Sequence, residues 1–176
     1  MEAIDPRYPI GKMVPVAYSK QEFDAKIESL RTMPNNLEAA LNGLSNDQLN
    51  TPYREGGWTV KQLVHHIADS HTNAYGRIVF ALDEENPAIK PYNENSWALL
   101  ADKRGITLEN SVGLIRLVHE RLVQLASTLT EEEVSRTVYH PERQRNISIW
   151  DLLCIYAWHS KHHVAHILTL RANQNW

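Results

Sequence analysis

The chain has 176 residues, of which 43% are hydrophobic and 22% charged, and its formal net charge is −3. This length is typical of one domain, so a single domain over residues 1–176 is predicted. The slightly acidic balance disfavours binding to nucleic acid or to anionic membranes, because such proteins usually carry a strong positive field. No apolar run approaches the ~18 residues that a membrane-spanning helix requires.

Two features of the sequence favour the cytoplasm. The N-terminus, from Met1 to Pro6, lacks the basic start and the apolar segment of a signal peptide. Cys154 is the only cysteine, so an internal disulfide is impossible. A cytoplasmic location is therefore expected.

The N-terminal third predicts an extended arm followed by a helix. Pro6, Pro9, Gly11 and Pro15 prevent a regular helix at the start. From Lys20 to about Leu44, apolar residues recur every three or four positions, which is typical of an amphipathic helix. Pro34 is expected to kink or split this helix. The turn-forming residues from Ser45 to Gly57 predict a loop.

A second long helix is predicted to begin after Thr59. Thr59 and Gln62 have the spacing of a capping box. His71 falls on the apolar face of this helix, whereas His66 falls at its flank. The flank continues as a polar stripe of helical spacing that could border a cleft; its members are His66, Ser70, Asn73 and Arg77.

The rest of the chain predicts two more long helices and completes a bundle. The segment from Asp83 to Ile106 is predicted to be a crossover connection that contains a short helix at Ser96–Lys103. Thr107 is predicted to cap a third long helix that reaches Leu129. A short helix is expected after Glu131, a loop at Tyr139–Asn146, and a last helix capped by Ser148 and Asp151. The predicted fold class is all-α, a four-helix bundle with long crossover loops and an extended N-terminal arm.

The last helix carries four histidines within eight residues, His159, His162, His163 and His166. His159 and His163 are four residues apart, as are His162 and His166, so each pair shares one helix face. His159 and His163 lie on the apolar stripe of the helix, His162 lies towards the flank, and His166 lies closer in. The periodicity ranks the first pair highest without deciding against His166.

Two imidazoles on a core face indicate a metal site. Burying both without a ligand would cost polar desolvation, whereas a metal ion uses both lone pairs. A catalytic zinc typically has three protein ligands and one open position, so a third ligand is expected elsewhere. The candidates are His65, His66, His71, His119 and His140. His65 points away from the apolar face and is expected to be solvated; burial favours His71 and cleft geometry favours His66.

Motifs along nearly the whole chain resemble the DinB-like bundle proteins, and within them the YfiT-type subgroup. The matching stretches are Tyr8-Pro9-Ile10-Gly11, Thr51-Pro52-Tyr53-Arg54, Gly56-Gly57-Trp58-Thr59-Val60, His65-His66-Ile67-Ala68-Asp69-Ser70-His71, Tyr139-His140-Pro141 and Trp158-His159-Ser160 with His162-His163. The resemblance implies that His66, eight residues after Trp58, is the third ligand beside His159 and His163. It further implies one divalent metal per subunit, zinc or nickel, a homodimer, and a core or supporting role for His71.

An open position on such a metal would favour deprotonation of a bound thiol or water. The resemblance implies a thiol S-transferase that uses a low-molecular-weight thiol, bacillithiol in particular, on small electrophiles. The alternatives are a hydrolase that uses metal-activated water and a non-enzymatic metal-binding bundle. Arg77 could hold a carboxylate of the thiol through a bidentate pair. The other possible helpers are Ser70, Asn73, Asp69 and His140.

Overall fold

The computed structural model describes residues 5–176, and four long helices form its framework. In chain order the elements are α1 (Lys20–Leu41), α2 (Asn46–Leu49), α3 (Val60–Asp83), α4 (Glu94–Lys103), α5 (Leu108–Ala126), α6 (Glu131–Ser135), β1 (Thr137–His140), β2 (Arg145–Ser148) and α7 (Ile149–Gln174). The long helices are α1, α3, α5 and α7. The predicted four-helix bundle is confirmed.

The four long helices pack in a ring whose order differs from their order in the chain. Among the long helices, α1 packs against α5 and α7, and α3 also packs against α5 and α7. The short helix α4 packs against α3. Consecutive long helices α1 and α3 therefore lie diagonally across the bundle, as do α5 and α7. The predicted crossover connection at residues 83–106 joins α3 to its neighbour α5. In the part of the chain described, no helix combines the length and hydrophobicity needed to span a bilayer.

Capping side chains define where the two helices that carry the histidines begin. The hydroxyl of Thr59 accepts a hydrogen bond from the backbone N–H of Gln62 at 3.1 Å. The hydroxyl of Ser148 accepts one from the backbone N–H of Asp151 at 3.0 Å. Both capping boxes are complete and confirm the predicted starts of α3 and α7.

The stretch predicted as a loop at Tyr139–Asn146 lies instead within an antiparallel hairpin formed by β1 and β2. Val138 and Ile147 are opposite each other and both are buried, so the hairpin has an apolar face. Tyr139 also pairs with the crossover connection, donating its N–H to the carbonyl of Pro87 at 2.9 Å. This pairing with a distant segment stabilises strands too short to be recognised from periodicity.

Two other local predictions need correction. Pro34 does not split α1, which runs without interruption from Lys20 to Leu41. Its neighbours Met33 and Leu37 are fully buried, and this packing outweighs the backbone hydrogen bond that proline cannot donate. The predicted loop after α1 contains the short helix α2, which is capped by Ser45.

The arm before α1 lies against α7. Trp150 donates its indole N–H to the carbonyl of Val16 at 2.8 Å. The ring of Tyr18 packs edge-on against Trp150, with 5.4 Å between ring centroids. The arm is therefore anchored at its C-terminal end; the part before Asp5 lies outside the described residues.

Candidate metal centre

Three histidine side chains from α3 and α7 meet inside the bundle. The Nε2 atom of His159 lies 3.1 Å from Nε2 of His66 and 3.0 Å from Nε2 of His163. Candidate ligand atoms of the three rings all lie within 4.8 Å of one another. The structure therefore brings together the three residues predicted as ligands.

The helix geometry places each ring. His159 and His163 are one turn apart on α7, which aligns them on one face. His66 lies in the second turn of α3, and its ring packs against Trp58, with 4.5 Å between centroids. Trp58 immediately precedes the cap Thr59, so the motif that contains both residues starts the helix and supports the His66 ring.

The environment keeps these imidazoles neutral. His66 is 3% exposed and His163 6%, while His159 is partly exposed towards a cavity. Burial, with a smaller contribution from His162, lowers the pKa of His66 to about 4. Burial and neighbouring imidazoles hold the pKa of His159 and His163 well below the ordinary value. Neutral rings offer the lone pairs that metal coordination needs.

The donor set fits a small divalent cation. Zinc–nitrogen bonds of 2.0–2.1 Å in a tetrahedral site place ligand nitrogens about 3.3 Å apart. The two distances from Nε2 of His159, 3.1 Å to His66 and 3.0 Å to His163, are a few tenths of an ångström shorter. The other ring nitrogen of His66 and of His163 is buried without a hydrogen-bond partner among the described residues. Three neutral nitrogen donors, with no carboxylate in the set, favour zinc, nickel or copper over magnesium or calcium.

His163 also belongs to a second group of histidines with His162 and His166. The Nε2 atoms of His162 and His166 lie 3.1 Å apart. All three of these residues come from α7, and His163 directs its Nε2 towards His159 instead. Burial, with smaller contributions from His162 and the cation of Arg54, lowers the pKa of His166 to about 3, and the nearby cation disfavours a further positive charge there. The first triad is the better metal site.

The remaining histidines take different places. His65 was predicted to be solvated, which is wrong: it is 1% exposed, and its Nδ1 lies 2.7 Å from the hydroxyl of Ser111 on α5. His65 lies outside the apolar stripe of α3, but α5 packs against this side of the helix and buries it. His71 is completely buried, with Nε2 3.0 Å from Nδ1 of His159. His71 therefore contacts His159 at Nδ1, the ring nitrogen that does not face His66 and His163.

A cavity of about 450 Å³ opens onto the three rings. Its walls combine aromatic and cationic side chains, among them Trp58, Arg77, His140, Arg143, Arg145, Tyr156 and Trp158, with Glu94 as the carboxylate. Arg77 donates a hydrogen bond to the hydroxyl of Tyr156 at 3.0 Å. Burial raises the pKa of Tyr156, so this hydroxyl stays protonated at neutral pH.

The polar stripe predicted along α3 divides between two surfaces. Ser70 and Arg77 line the cavity at the histidines, as does His140 from β1. Asn73 and Asp69 line a separate groove with Phe80 and Trp97, and Asn73 donates to the carbonyl of Asp69 within its own helix. The cleft prediction therefore holds for part of the stripe.

Arg143 and Arg145 were not predicted from the sequence, because they reach the cavity from the hairpin. His119 was predicted only as a possible ligand. His119 is 1% exposed and stands four residues after the buried Ile115, so its position on the core face of α5 could have been read from the helical period.

A four-helix bundle in which histidines of two helices converge beside a cavity defines a class of helical proteins with candidate mononuclear metal sites. The chain belongs to the DinB superfamily, which residues 29–167 match. It is 41% identical to YfiT of Bacillus subtilis over 177 residues, covering 100% of this chain and 99% of that protein. It is also 41% identical to a protein of Geobacillus thermodenitrificans, with complete coverage of both. Both relatives are named as candidate metal-dependent hydrolases.

Solved structures show the same architecture. YfiT, described with an unusual four-helix bundle topology, superposes with a TM-score of 0.94 over 98% of this chain and 99% of that chain. The four-helix bundle protein TT2238 superposes with a TM-score of 0.58 at 20% identity, covering 88% of this chain. The second likeness concerns the fold alone.

Proposed function

We propose that the protein is a metal-dependent enzyme in which His66, His159 and His163 hold one divalent ion, zinc in the first place and nickel in the second. The observation that carries this proposal is the convergence of three Nε2 atoms at the floor of a cavity. The names of the relatives, which refer to metal-dependent hydrolases, support a metal-dependent reaction. A metal ion bound here would supply a nucleophile at neutral pH by lowering the pKa of a thiol or of water.

The cavity lining supports a negatively charged substrate. Arg77, Arg143 and Arg145 contribute three cations against the one carboxylate of Glu94. Arginine binds carboxylates through paired, charge-assisted hydrogen bonds. Trp58 and Trp158 add apolar surface on which the uncharged part of a small molecule can pack.

The first candidate reaction is thiol S-transfer. A low-molecular-weight thiol releases its proton to solvent, its sulfur forms a bond to the carbon of an electrophile, and the leaving group departs with the electron pair of the broken bond. Neutral imidazole ligands leave the metal its full positive charge, which favours the thiolate form. The arginines suit a carboxylate-bearing thiol such as bacillithiol. The second candidate, hydrolysis by activated water, is favoured by the names of the relatives.

The two reactions are separated by supplying or withholding the thiol. Zinc-loaded protein should conjugate bacillithiol to an electrophile such as chlorodinitrobenzene, and a chelator should abolish the reaction. Cysteamine, a thiol without a carboxylate, should react more slowly at equal concentration. Cleavage of esters or amides without any thiol would establish the hydrolase instead. Metal binding with no turnover in either panel would establish a non-enzymatic metal-binding bundle.

We also propose that the chain forms homodimers in the cytoplasm. Phe80 of α3, Trp97 of α4 and Leu114 of α5 line one groove, and they are 51%, 42% and 41% exposed. An apolar surface of this kind suits a second copy of the chain. Light scattering should give a dimer mass, and Phe80→Glu should give a monomer; a monomeric wild-type protein would contradict the proposal. Cell fractionation tests the location.

A further inference from the structure

Three histidines and one backbone carbonyl form a continuous chain of hydrogen bonds across the bundle. Nδ1 of His119 lies 2.7 Å from the carbonyl oxygen of Leu30. Nε2 of His119 lies 2.7 Å from Nδ1 of His71, and Nε2 of His71 lies 3.0 Å from Nδ1 of His159. Leu30, His119, His71 and His159 belong to α1, α5, α3 and α7, so each long helix contributes one member.

The carbonyl of Leu30 determines the direction of every hydrogen bond in this chain. A carbonyl oxygen only accepts, so Nδ1 of His119 must carry the proton. A neutral imidazole has one N–H, so Nε2 of His119 accepts from Nδ1–H of His71. By the same reasoning, Nε2 of His71 accepts from Nδ1–H of His159. The Nε2 atom of His159 is then left with a free lone pair.

We propose that His119 and His71 are positioning residues that hold His159 as its Nδ1–H tautomer, with the Nε2 lone pair directed towards the metal site. This inference rests on the proposed function for the identity of the ligands. The proposal adds His119 and His71, which are not among the proposed ligands, and it extends the site to the backbone carbonyl of Leu30 on α1. We call this chain of four groups the histidine relay.

The relay gives His159 a support that the other proposed ligands lack. Metal-binding histidines usually donate their second N–H to a carboxylate or a carbonyl, which sets the tautomer and the ring orientation. Here two imidazoles carry that effect from Leu30 to His159. Nδ1 of His66 and Nδ1 of His163 have no such partner among residues 5–176. His159 is therefore the proposed ligand whose tautomer the bundle itself determines.

Burial isolates the relay from competing partners. His71 is 0% exposed and His119 is 1% exposed. Solvent therefore offers neither ring a substitute acceptor. Loss of the acceptor at His71 would allow the proton of His159 to move to Nε2, where it must be displaced before a cation can bind. The expected result is weaker metal binding with the same number of ligands.

The tautomers can be read in the metal-free, full-length protein by nitrogen NMR of the histidine rings. We expect His119, His71 and His159 all to be protonated at Nδ1. Finding His159 protonated at Nε2 in the wild-type protein would overturn the proposal. In His71→Leu, the proton of His159 should shift to Nε2, a change that a purely structural role would not produce.

Zinc affinity, measured by competition with a chelator, provides the second readout. His71→Leu removes the acceptor and should weaken zinc binding by about 10- to 100-fold. His71→Gln and His119→Gln keep an amide oxygen near the lost Nε2 and should stay within a few-fold of wild type. The matched control is His65→Leu, which removes another buried α3 histidine bonded to α5 but leaves the relay intact.

Thermal unfolding of each variant separates positioning from folding. If His71→Gln loses as much affinity as His71→Leu, or if His65→Leu loses as much as either, the relay is wrong. If His71→Leu does not fold, the tautomers of the wild-type protein still decide. If wild-type protein binds no zinc although the three rings are protonated at Nδ1, the proposed function fails while the relay stands.

Discussion

The Nε2 atoms of His66 and His159 lie 3.1 Å apart although the two residues are separated by 93 positions in the sequence. Only the packing of α3 against α7 can bring them together. His163, one turn after His159, adds a third nitrogen at 3.0 Å. The proposed metal centre is therefore a property of the assembled bundle, and an unfolded chain would not hold the three imidazoles together.

The first prediction concerns the ligand set. Protein purified without a histidine tag should contain about one zinc or nickel ion per chain, and His66→Ala, His159→Ala and His163→Ala should each lose it, because two imidazoles hold a divalent ion poorly. Elemental analysis after gel filtration measures this stoichiometry.

The controls for the ligand set come from the neighbouring histidines. His162→Ala and His166→Ala should retain the metal, because their Nε2 atoms pair with each other rather than with His159. His71→Ala should still bind one ion at saturation, with reduced affinity. Retention of the metal by all three ligand variants would disprove the site.

The second prediction concerns the cationic wall of the cavity. Arg77→Met should raise the KM for a carboxylate-bearing thiol by about 10- to 100-fold, since a hydrogen bond to a charged group contributes about 1.5–3 kcal/mol. The KM for cysteamine should change little. Steady-state kinetics of the zinc-loaded protein measures both values.

Two variants test whether the effect belongs to Arg77 itself. Tyr156→Phe removes the hydroxyl that accepts from Arg77 and should produce a smaller change in the same direction. Arg116→Met removes an exposed arginine paired with Glu38 and should have no effect on KM. An equal rise in KM for cysteamine would mean that Arg77 maintains the shape of the cavity instead of binding a carboxylate.

The sequence predicted the long helices and their caps because these depend on local spacing. Thr59 with Gln62 and Ser148 with Asp151 are readable from a few neighbouring residues. The β1–β2 hairpin was missed because it depends on pairing with the segment at Pro87. The prediction that His65 is solvated was wrong for a related reason. His65 is buried by contact with α5, and the apolar periodicity of α3 gives no information about that contact.

The site was predictable in part. The period of α7 selected His159 and His163, but one helix cannot reveal how α3 is rotated against it. The choice of His66 over His71 came from the resemblance built on Trp58. The structure shows why both histidines were plausible: His66 and His71 both contact His159, one at Nε2 and the other at Nδ1.

The third prediction tests the core independently of the site. Leu37 is 0% exposed in α1, so Leu37→Ala should reduce the free energy of unfolding by about 2–5 kcal/mol. Leu168 is 51% exposed on α7, so Leu168→Ala should change it by less than about 0.5 kcal/mol. Urea unfolding in excess chelator gives both values without metal linkage. Equal losses in the two variants would contradict the assigned packing of α1.

The fourth prediction concerns the free energy of unfolding at acid pH. Burial lowers the pKa of His66 and His162 to about 4 and that of His166 to about 3, whereas an unfolded histidine titrates near 6.5. Below pH 6.5 the unfolded chain therefore binds more protons than the folded protein, and the free energy of unfolding falls as the pH falls. Each such histidine contributes about 1.4 kcal/mol per pH unit down to its folded pKa.

These three alone give a slope of about 4 kcal/mol per pH unit, and the lowered pKa values of His159 and His163 add to it. The metal-free protein should therefore lose most of its stability between pH 6 and about 4. Urea unfolding in excess chelator at a series of pH values measures this slope. Replacing both His162 and His166 by Gln should reduce the proton uptake on unfolding by about two. A free energy of unfolding that stays constant from pH 6.5 to 5 would show that these imidazoles are already protonated in the folded protein, and the neutral donor set proposed for the metal would then be wrong.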